Sequence, residues 1–306
     1  MIFCDKTNPK MIQSDPQAEV IINEHLVRRL IQKQHPEFKG LDIRYMDAGW
    51  DNVSYRLGDE FLIRLPRRKV AQQLMKNEIK WLPTLSGKLP VCIPAPLAIG
   101  KPDDEYPWNW SIVPWYEGTT ADQHTLDREA AGQWIDFLSV LHHQDPTGAP
   151  ENPNRGVPLI HKAEQVQARI NNLSTRTDLV NKALLETWEL ALGEKCDTHD
   201  RLLHGDPHPR NILINEGAIS AVIDWGDITS GDVASDLASV WMLFGSKRVR
   251  DYALEAYGAD GSLTRRALGW AIFYGVVLLD TGLNGNEQHA KIGSFTLKNV
   301  LGKISS

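Results

Sequence analysis

The segment His204-Gly205-Asp206-Pro207-His208-Pro209-Arg210-Asn211 limits what this chain can fold into more than any other. Pro207 and Pro209 cannot continue a helix, and they stiffen the loop that holds them. Two short β-prone runs follow, 212–215 and 220–223, joined by a Glu-Gly turn and closed by Asp224-Trp225. The carboxylate of Asp206 and the carboxamide of Asn211 therefore sit on one rigid loop. A tight hairpin returns a second carboxylate, Asp224, toward them. Asn211 and Asp224 are oxygen donors suited to Mg²⁺, which takes few protein oxygens and completes its shell with water and phosphate. Asp206 is left beside such a cation, able to orient or deprotonate a hydroxyl. Each feature alone is ordinary: a Gly-Asp turn, a carboxylate at a strand end. Together, His204, Gly205, Asp206, His208 and Asn211 at fixed spacing should arise by chance in about one chain of this length in ten thousand.

The rest of the chain divides into two kinds of pattern. Ser14-Asp15-Pro16 precedes a run in which Val20, Ile21, Val27, Leu30 and Ile31 recur at helical spacing, which predicts a helix starting at Pro16. Residues 41–49, 53–58 and 60–66 are short, rich in β-branched and aromatic residues, and separated by turn sequences, which predicts three antiparallel strands. A helix is predicted over 69–85, from Val70, Leu74, Ile79 and Leu82, then strands at 96–100 and 108–118. Beyond residue 120 helices dominate, at 127–143, 161–173, 178–192, 232–245 and 263–283. The outline is α+β and bilobal: an antiparallel-sheet lobe over 1–113, a Pro-containing joint at 114–118, and a larger, mainly helical lobe over 119–306. A cleft between two lobes is a usual place for a ligand.

Composition narrows the partners. The 306 residues are 42% hydrophobic and 24% charged, enough for a core and too apolar for a disordered chain. Cys4, Cys92 and Cys196 are too scattered for a disulfide framework or a thiolate metal site. Cys196 and His199 lack a second pair to complete one. The first residues lack the apolar core of a secretory signal, and the longest apolar stretch, 270–279, is too short to span a bilayer, so a cytoplasmic protein without membrane contact is expected. A net charge of −6 argues against nucleic-acid binding. Residues 1–117 carry a net +1 and residues 118–306 a net −7, so the second part would favour a cationic small molecule. His142-His143 is expected to close the helix before Gln144.

The pattern H-G-D-x-H-x-x-N, followed by I-D-W and then G-D-x-x-x-D-L-A, closely resembles the aminoglycoside phosphotransferase family. Its members are small-molecule kinases, macrolide and choline kinases among them, with a fold similar to protein kinases. The resemblance covers roughly residues 40–300 and implies Asp206 as catalytic base and Asn211 and Asp224 as Mg²⁺ ligands. His204 and His208 would stabilise the loop, and Asp232 and Asp236 would brace it, Asp232 also capping a helix. The donor would be ATP or GTP. By position, Arg64 and Glu78 are the cation on the phosphates and the carboxylate that holds it. The commoner residue at Arg64 is Lys, but Arg keeps the charge and can grip phosphate with two N–H groups. Arg67, Arg68 and Lys69 are expected as a separate surface cluster. The segment around Arg64 is similar to one in macrolide kinases. Asn52 and Ser54, in a loop with a single glycine, would cover phosphates, and Pro114, Trp115 and Tyr116 would meet the base. Asp280 and Glu287 are candidate contacts for the acceptor, or solvent-facing carboxylates.

The acceptor is then a small-molecule hydroxyl compound, first an aminoglycoside-type antibiotic, alternatively a macrolide or a housekeeping amino alcohol or sugar. A nucleotide-binding pseudokinase is the contrasting class; the intact Asp206, Asn211 and Asp224 speak against it. A protein kinase is disfavoured, because too few residues separate Asp224 from Asp232 for an activation segment. The enzyme is expected as a monomer or homodimer.

Overall fold

The computed structural model describes residues 17–49, 51–196 and 200–302; Cys4, the proposed cap at Ser14 to Pro16, Trp50, Asp197 and His199 lie outside them. The first helix, α1 (Glu24–Gln34), begins later than predicted. Asn23 accepts a hydrogen bond from the Leu26 amide and so supplies the N-cap, and Ile21 is left 86% exposed. Leu26, Val27, Leu30 and Ile31 form its buried stripe.

That stripe belongs to the same core as a five-stranded antiparallel sheet of β1 (Ile43–Ala48), β2 (Asn52–Leu57), β3 (Phe61–Pro66), β4 (Ala98–Gly100) and β5 (Trp110–Pro114), in the order β1-β2-β3-β5-β4. Ser54 pairs with Arg64, and Arg64 with Ser111. Residues directly opposite in an antiparallel ladder share a face, so Ser54 and Arg64 project together. Trp108 and Trp110 are consumed in this core. Helix α2 (Ala71–Leu85) is rotated relative to the predicted face: Val70 is exposed, while Ala71, Met75, Glu78, Trp81, Leu82 and Leu85 are buried. A charged residue thus lies on the buried stripe, a position apolar periodicity could not assign to the core.

The larger part is mainly helical. It contains β6 (Thr119–Thr120), α3 (Arg128–His142), α4 (Ala163–Leu173), α5 (Lys182–Leu192), β7 (Arg201–Leu203), β8 (Ile212–Asn215), β9 (Ala218–Val222) and β10 (Thr229–Gly231). Then follow α6 (Ala234–Leu237), α7 (Ser239–Leu243), α8 (Lys247–Tyr257), α9 (Gly261–Leu283) and α10 (Glu287–Val300). The helix predicted over 232–245 is two short pieces, and β6, β7, β10, α8 and α10 were not predicted. The β8–β9 hairpin turns through Glu216 (φ 50°) and Gly217 (φ 83°), the two positive angles a tight hairpin of this kind needs. Helix α9 is 23 residues long and apolar enough to cross a bilayer by length and composition, yet 72% of its most apolar window is buried in the protein. It packs closely on α10: a Cβ on Gly282 would stand 2.1 Å from the Ala290 nitrogen.

Candidate active site

The site is built around a loop that the large core holds from behind. Asp236, fully buried on α6, accepts hydrogen bonds from the His204 amide (2.8 Å) and the Gly205 amide (3.0 Å). His142 Nε2 reaches the same carboxylate at 3.3 Å, while its Nδ1 meets the Tyr257 hydroxyl at 2.6 Å. His142 thus braces the loop from within, and as the last residue of α3, with His143 as C-cap reaching the Ser139 carbonyl at 2.6 Å, it also closes the helix before Gln144 as expected. Asp232 stands one residue before Val233, the N-cap of α6, accepts the Ala234 amide (3.0 Å) and pairs with Arg266 of α9 (2.7 Å), so it ties the helices together and reaches the loop only indirectly.

His204 is buried, donates from Nε2 to the Ile223 carbonyl (3.1 Å) and accepts the Asp206 amide at Nδ1 (3.2 Å). Acceptance at Nδ1 requires the neutral ring with its proton on Nε2, and burial pushes its pKa down in agreement. His208 accepts the Arg210 amide at 3.1 Å; burial, then the charges of Arg210 and Arg155, push it down to about 3. At Gly205, φ is +87° and a Cβ would stand 2.2 Å from the Asp227 carbonyl oxygen, so only glycine fits.

Asn211 donates from Nδ2 to the Asp206 carbonyl (2.9 Å) and to Oδ2 of Asp206 (3.4 Å), which turns its own oxygen away as a free donor atom. Asp224 follows the hairpin with φ 61°, a left-handed conformation uncommon outside glycine, asparagine and aspartate. That turn sends its carboxylate into the cleft, which Asp206, Asn211 and Asp224 all line. Loss of hydration raises the carboxyls of Asp206 and Asp224. Repulsion from Asp227 adds to this, and Arg155 and Arg64 respectively oppose it.

The sheet supplies Arg64 from across the cleft. It pairs with Glu78 of α2 and lies 3.4 Å from Oδ1 of Asp224. Burial works against its charge, but Glu78 and Asp224 outweigh it and raise its pKa. Glu78 is itself fixed by the Trp225 amide at 3.0 Å. One carboxylate thus links α2, β3 and the segment that carries Asp224.

Asn52, Ser54, Pro114, Trp115 and Tyr116 also line the cleft. The Trp115 amide donates to Glu60 (2.8 Å), its ring carries the Arg56 guanidinium 3.8 Å from the centroid, and the Tyr116 hydroxyl donates to Ile93 (2.9 Å). Of the predicted surface cluster of basic residues, Lys69 is exposed as expected, while Arg67 and Arg68 instead clamp the β1–β2 loop. Arg67 is buried and donates to the Gly49 carbonyl (3.0 Å), and Arg68 pairs with Asp51 (2.5 Å). The two acceptor candidates are not brought to the cleft. Asp280 is buried against Arg169 and Arg176, and Glu287 is exposed and paired with Lys291 at 2.8 Å.

Two residues, Arg155 and Tyr274, escaped the sequence analysis. Arg155 donates from Nη2 to Oδ1 of Asp206 (3.0 Å) and stands 3.8 Å from Asp227. The Tyr274 hydroxyl donates to the Gly205 carbonyl (3.2 Å). Asn152-Pro153-Asn154-Arg155-Gly156 reads as a bare connection in sequence; the only hint is its run of turn-forming residues. It is pinned where the Asp232 amide donates to the Gly156 carbonyl (2.8 Å).

The comparisons agree on the fold. A protein of Bacillus subtilis (strain 168), described as uncharacterized protein YcbJ, is 28% identical over 134 residues, which take in 40% of this chain and 42% of that one. Less than half of that relative's length is therefore spanned. Among solved structures, the GDP and kanamycin complex of APH(2″)-IIIa superposes with a TM-score of 0.67 at 19% identity, covering 92% of this chain and 99% of that one. Macrolide 2′-phosphotransferase MphH from Brachybacterium faecium gives 0.57 at 21% identity, covering 88% and 97%. The streptomycin–ATP complex of APH(2″)-IIa gives 0.57 at 21% identity, covering 84% and 91%. Residues 42–270, most of the chain and all of the loop and hairpin described above, match one family throughout: the protein belongs to the phosphotransferase enzyme family.

Proposed function

We propose that the protein transfers the γ-phosphoryl group of ATP or GTP to a hydroxyl of a small molecule. The observation that carries this reading is the meeting of Asp206, Asn211 and Asp224 in one cleft, with Arg64 reaching Asp224 from the opposite wall. Asp206 would orient the acceptor hydroxyl and take its proton. The acceptor oxygen bonds the γ-phosphorus as the bridging P–O bond breaks, and its electrons leave with the nucleoside diphosphate. Arg64, held by Glu78, would neutralise phosphate charge. Ser54 and Asn52 would cover the phosphates, and 114–116 would flank the base.

The donor set fits Mg²⁺. Among the described residues no group of three or more His, Cys, Asp or Glu is arranged to hold a metal by itself. Asn211 and Asp224 would provide two protein oxygens and leave the remainder to phosphate and water, as Mg²⁺ prefers. When bound, the ion would spread the charge of the transferring group. Solved structures of the same fold that carry GDP or ATP support a nucleotide donor. An aminoglycoside-type antibiotic is the acceptor that resemblance suggests, with a macrolide next and a housekeeping metabolite as the third candidate.

The division at 114–118 is part of the same reading, although Trp81, Leu82 and Leu85 of α2 pack with the larger core. The apolar α9 is largely consumed inside the protein, which supports a soluble enzyme working in the cytoplasm. The test is nucleotide consumption with ATP and GTP, with and without Mg²⁺, over a panel of aminoglycosides, macrolides, amino alcohols and sugars. Acceptor-dependent turnover that requires Mg²⁺ and vanishes in Asp206→Ala is the expected result; turnover unchanged in that variant would refute it.

A further inference from the structure

Resting on the kinase reading, the wall beyond Asp206 says what kind of acceptor fits. It is formed by Gln165 of α4, by Phe273, Val277 and Leu278 of α9, and by Asn286 and Asn154 at loop positions, with the Tyr274 phenol and the His289 imidazole beside them. None of these side chains is a carboxylate; most are apolar or carry neutral amides. No glutamate lines the cleft among the described residues. The aspartates that do belong either to the β1–β2 end, Asp47 and Asp51, or to the catalytic cluster of Asp206, Asp224 and Asp227. Asp206 and Asp227 already share the guanidinium of Arg155, and Asn152 donates to Asp227 at 2.8 Å. The two carboxylates that could have greeted a cation are engaged elsewhere, Asp280 behind the wall with two arginines and Glu287 outside it with Lys291. Lys162, bonded to the Asn154 side chain at 3.2 Å, adds a further positive group behind this wall.

An ammonium group brought into such a wall loses hydration and gains no carboxylate, which is costly. An apolar surface of the acceptor, by contrast, gains from contact with Phe273, Val277 and Leu278. Neutral amides pair well with hydroxyl and carbonyl oxygens. The acidic bias of the second half of the chain does not extend to this surface.

We propose that the acceptor is an uncharged, amphipathic hydroxyl compound, apolar on the side that meets α9 and bearing oxygens toward Gln165, Asn154 and Asn286. Its hydroxyl oxygen would bond the γ-phosphorus, its proton passing to Asp206 and the nucleoside diphosphate leaving. Polycationic acceptors, including the aminoglycoside type that resemblance alone puts first, are the poorest fit to this chemistry.

Three matched sugars and one polycation test this with the full-length protein and Mg²⁺–nucleotide: n-octyl β-D-glucoside, methyl β-D-glucoside, the octyl glycoside of 2-amino-2-deoxyglucose, and kanamycin. Sugar phosphate is quantified by mass spectrometry. Octyl glucoside should have a kcat/KM at least about thirtyfold above the methyl glycoside, through KM. It should exceed the amino sugar about tenfold, with kanamycin lower still. In Leu278→Asp, a change on a half-buried position of α9, the order of octyl glucoside and its amino counterpart should reverse. Equal use of methyl and octyl glycosides, preference for the amino sugar or kanamycin by the unaltered protein, or transfer to none of the three sugars would overturn the proposal. Nucleotide binding that depends on Mg²⁺ is measured alongside: if it persists, only the acceptor assignment has failed, and if it is absent the kinase reading fails and the acceptor class falls with it.

Discussion

Nη2 of Arg155 lies 3.0 Å from Oδ1 of Asp206, so the residue assigned as base is held by a cation from a loop some fifty positions earlier in the chain. Asn211 donates to the other oxygen, and the carboxylate is thereby oriented from two sides. Arg155→Gln should keep one polar contact and lose the charge. The expected result is a fall in kcat of about tenfold with nucleotide affinity nearly unchanged, since an ion pair that orients a reacting group acts mainly on the chemical step. An equal loss of nucleotide affinity, read by titration calorimetry, would contradict this.

Asp206 and Asp224 should separate cleanly by mutation. Asp206→Ala removes the proposed proton acceptor and should lower transfer by about a hundredfold or more while nucleotide still binds. Asp224→Ala should instead weaken nucleotide binding only where Mg²⁺ is present. An unchanged Mg²⁺ titration in that variant would count against Asp224 as a ligand.

Glu78 is 3% exposed, and its charge is opposed by Arg64. Arg64→Met should therefore destabilise the protein by about 3 kcal/mol, because a buried carboxylate is left uncompensated. Arg64→Met with Glu78→Met should recover most of that loss. Denaturant unfolding of the four species gives the coupling directly, and additive effects would rule out the pair as a stabilising unit.

The two loop histidines predict an acid-sensitive fold. Burial lowers His204 and takes His208 to about 3, both below the ordinary value near 6.5. The unfolded chain then binds more protons than the folded one as pH falls below about 6.5, so stability drops progressively from there toward pH 3 and is fully present above the unfolded value. His208→Asn keeps an acceptor for the Arg210 amide without a titrating ring. Its melting temperature should fall less steeply between pH 6.5 and pH 4 than that of the unaltered protein; parallel profiles would show that His208 is not a source of the effect.

Gly205→Ala should cost at least about 1 kcal/mol, from the left-handed backbone and the 2.2 Å approach to Asp227. It should also displace Asp206, one residue on. Unaltered stability and activity would mean that the loop relaxes without consequence.

The chain's own order of residues determined the parts of this protein that are local. The rigid proline loop, the Glu-Gly hairpin and the spacing of Asp206, Asn211 and Asp224 are set by dihedral preferences and short connections, so they can be read along the sequence. The lobes' strands and most helices follow from periodicity for the same reason. Helix limits did not: α1 begins at the better cap, Asn23, and α2 turns its buried stripe to include Glu78 because Arg64 waits there. Tertiary structure alone decided that Arg155 belongs beside Asp206, that Asp236 gathers His142, His204 and Gly205, and that Asp280 is spent on arginines behind the wall. These are contacts between segments far apart in the chain, where charge and burial choose the partner, and no local pattern records which carboxylate will meet which cation.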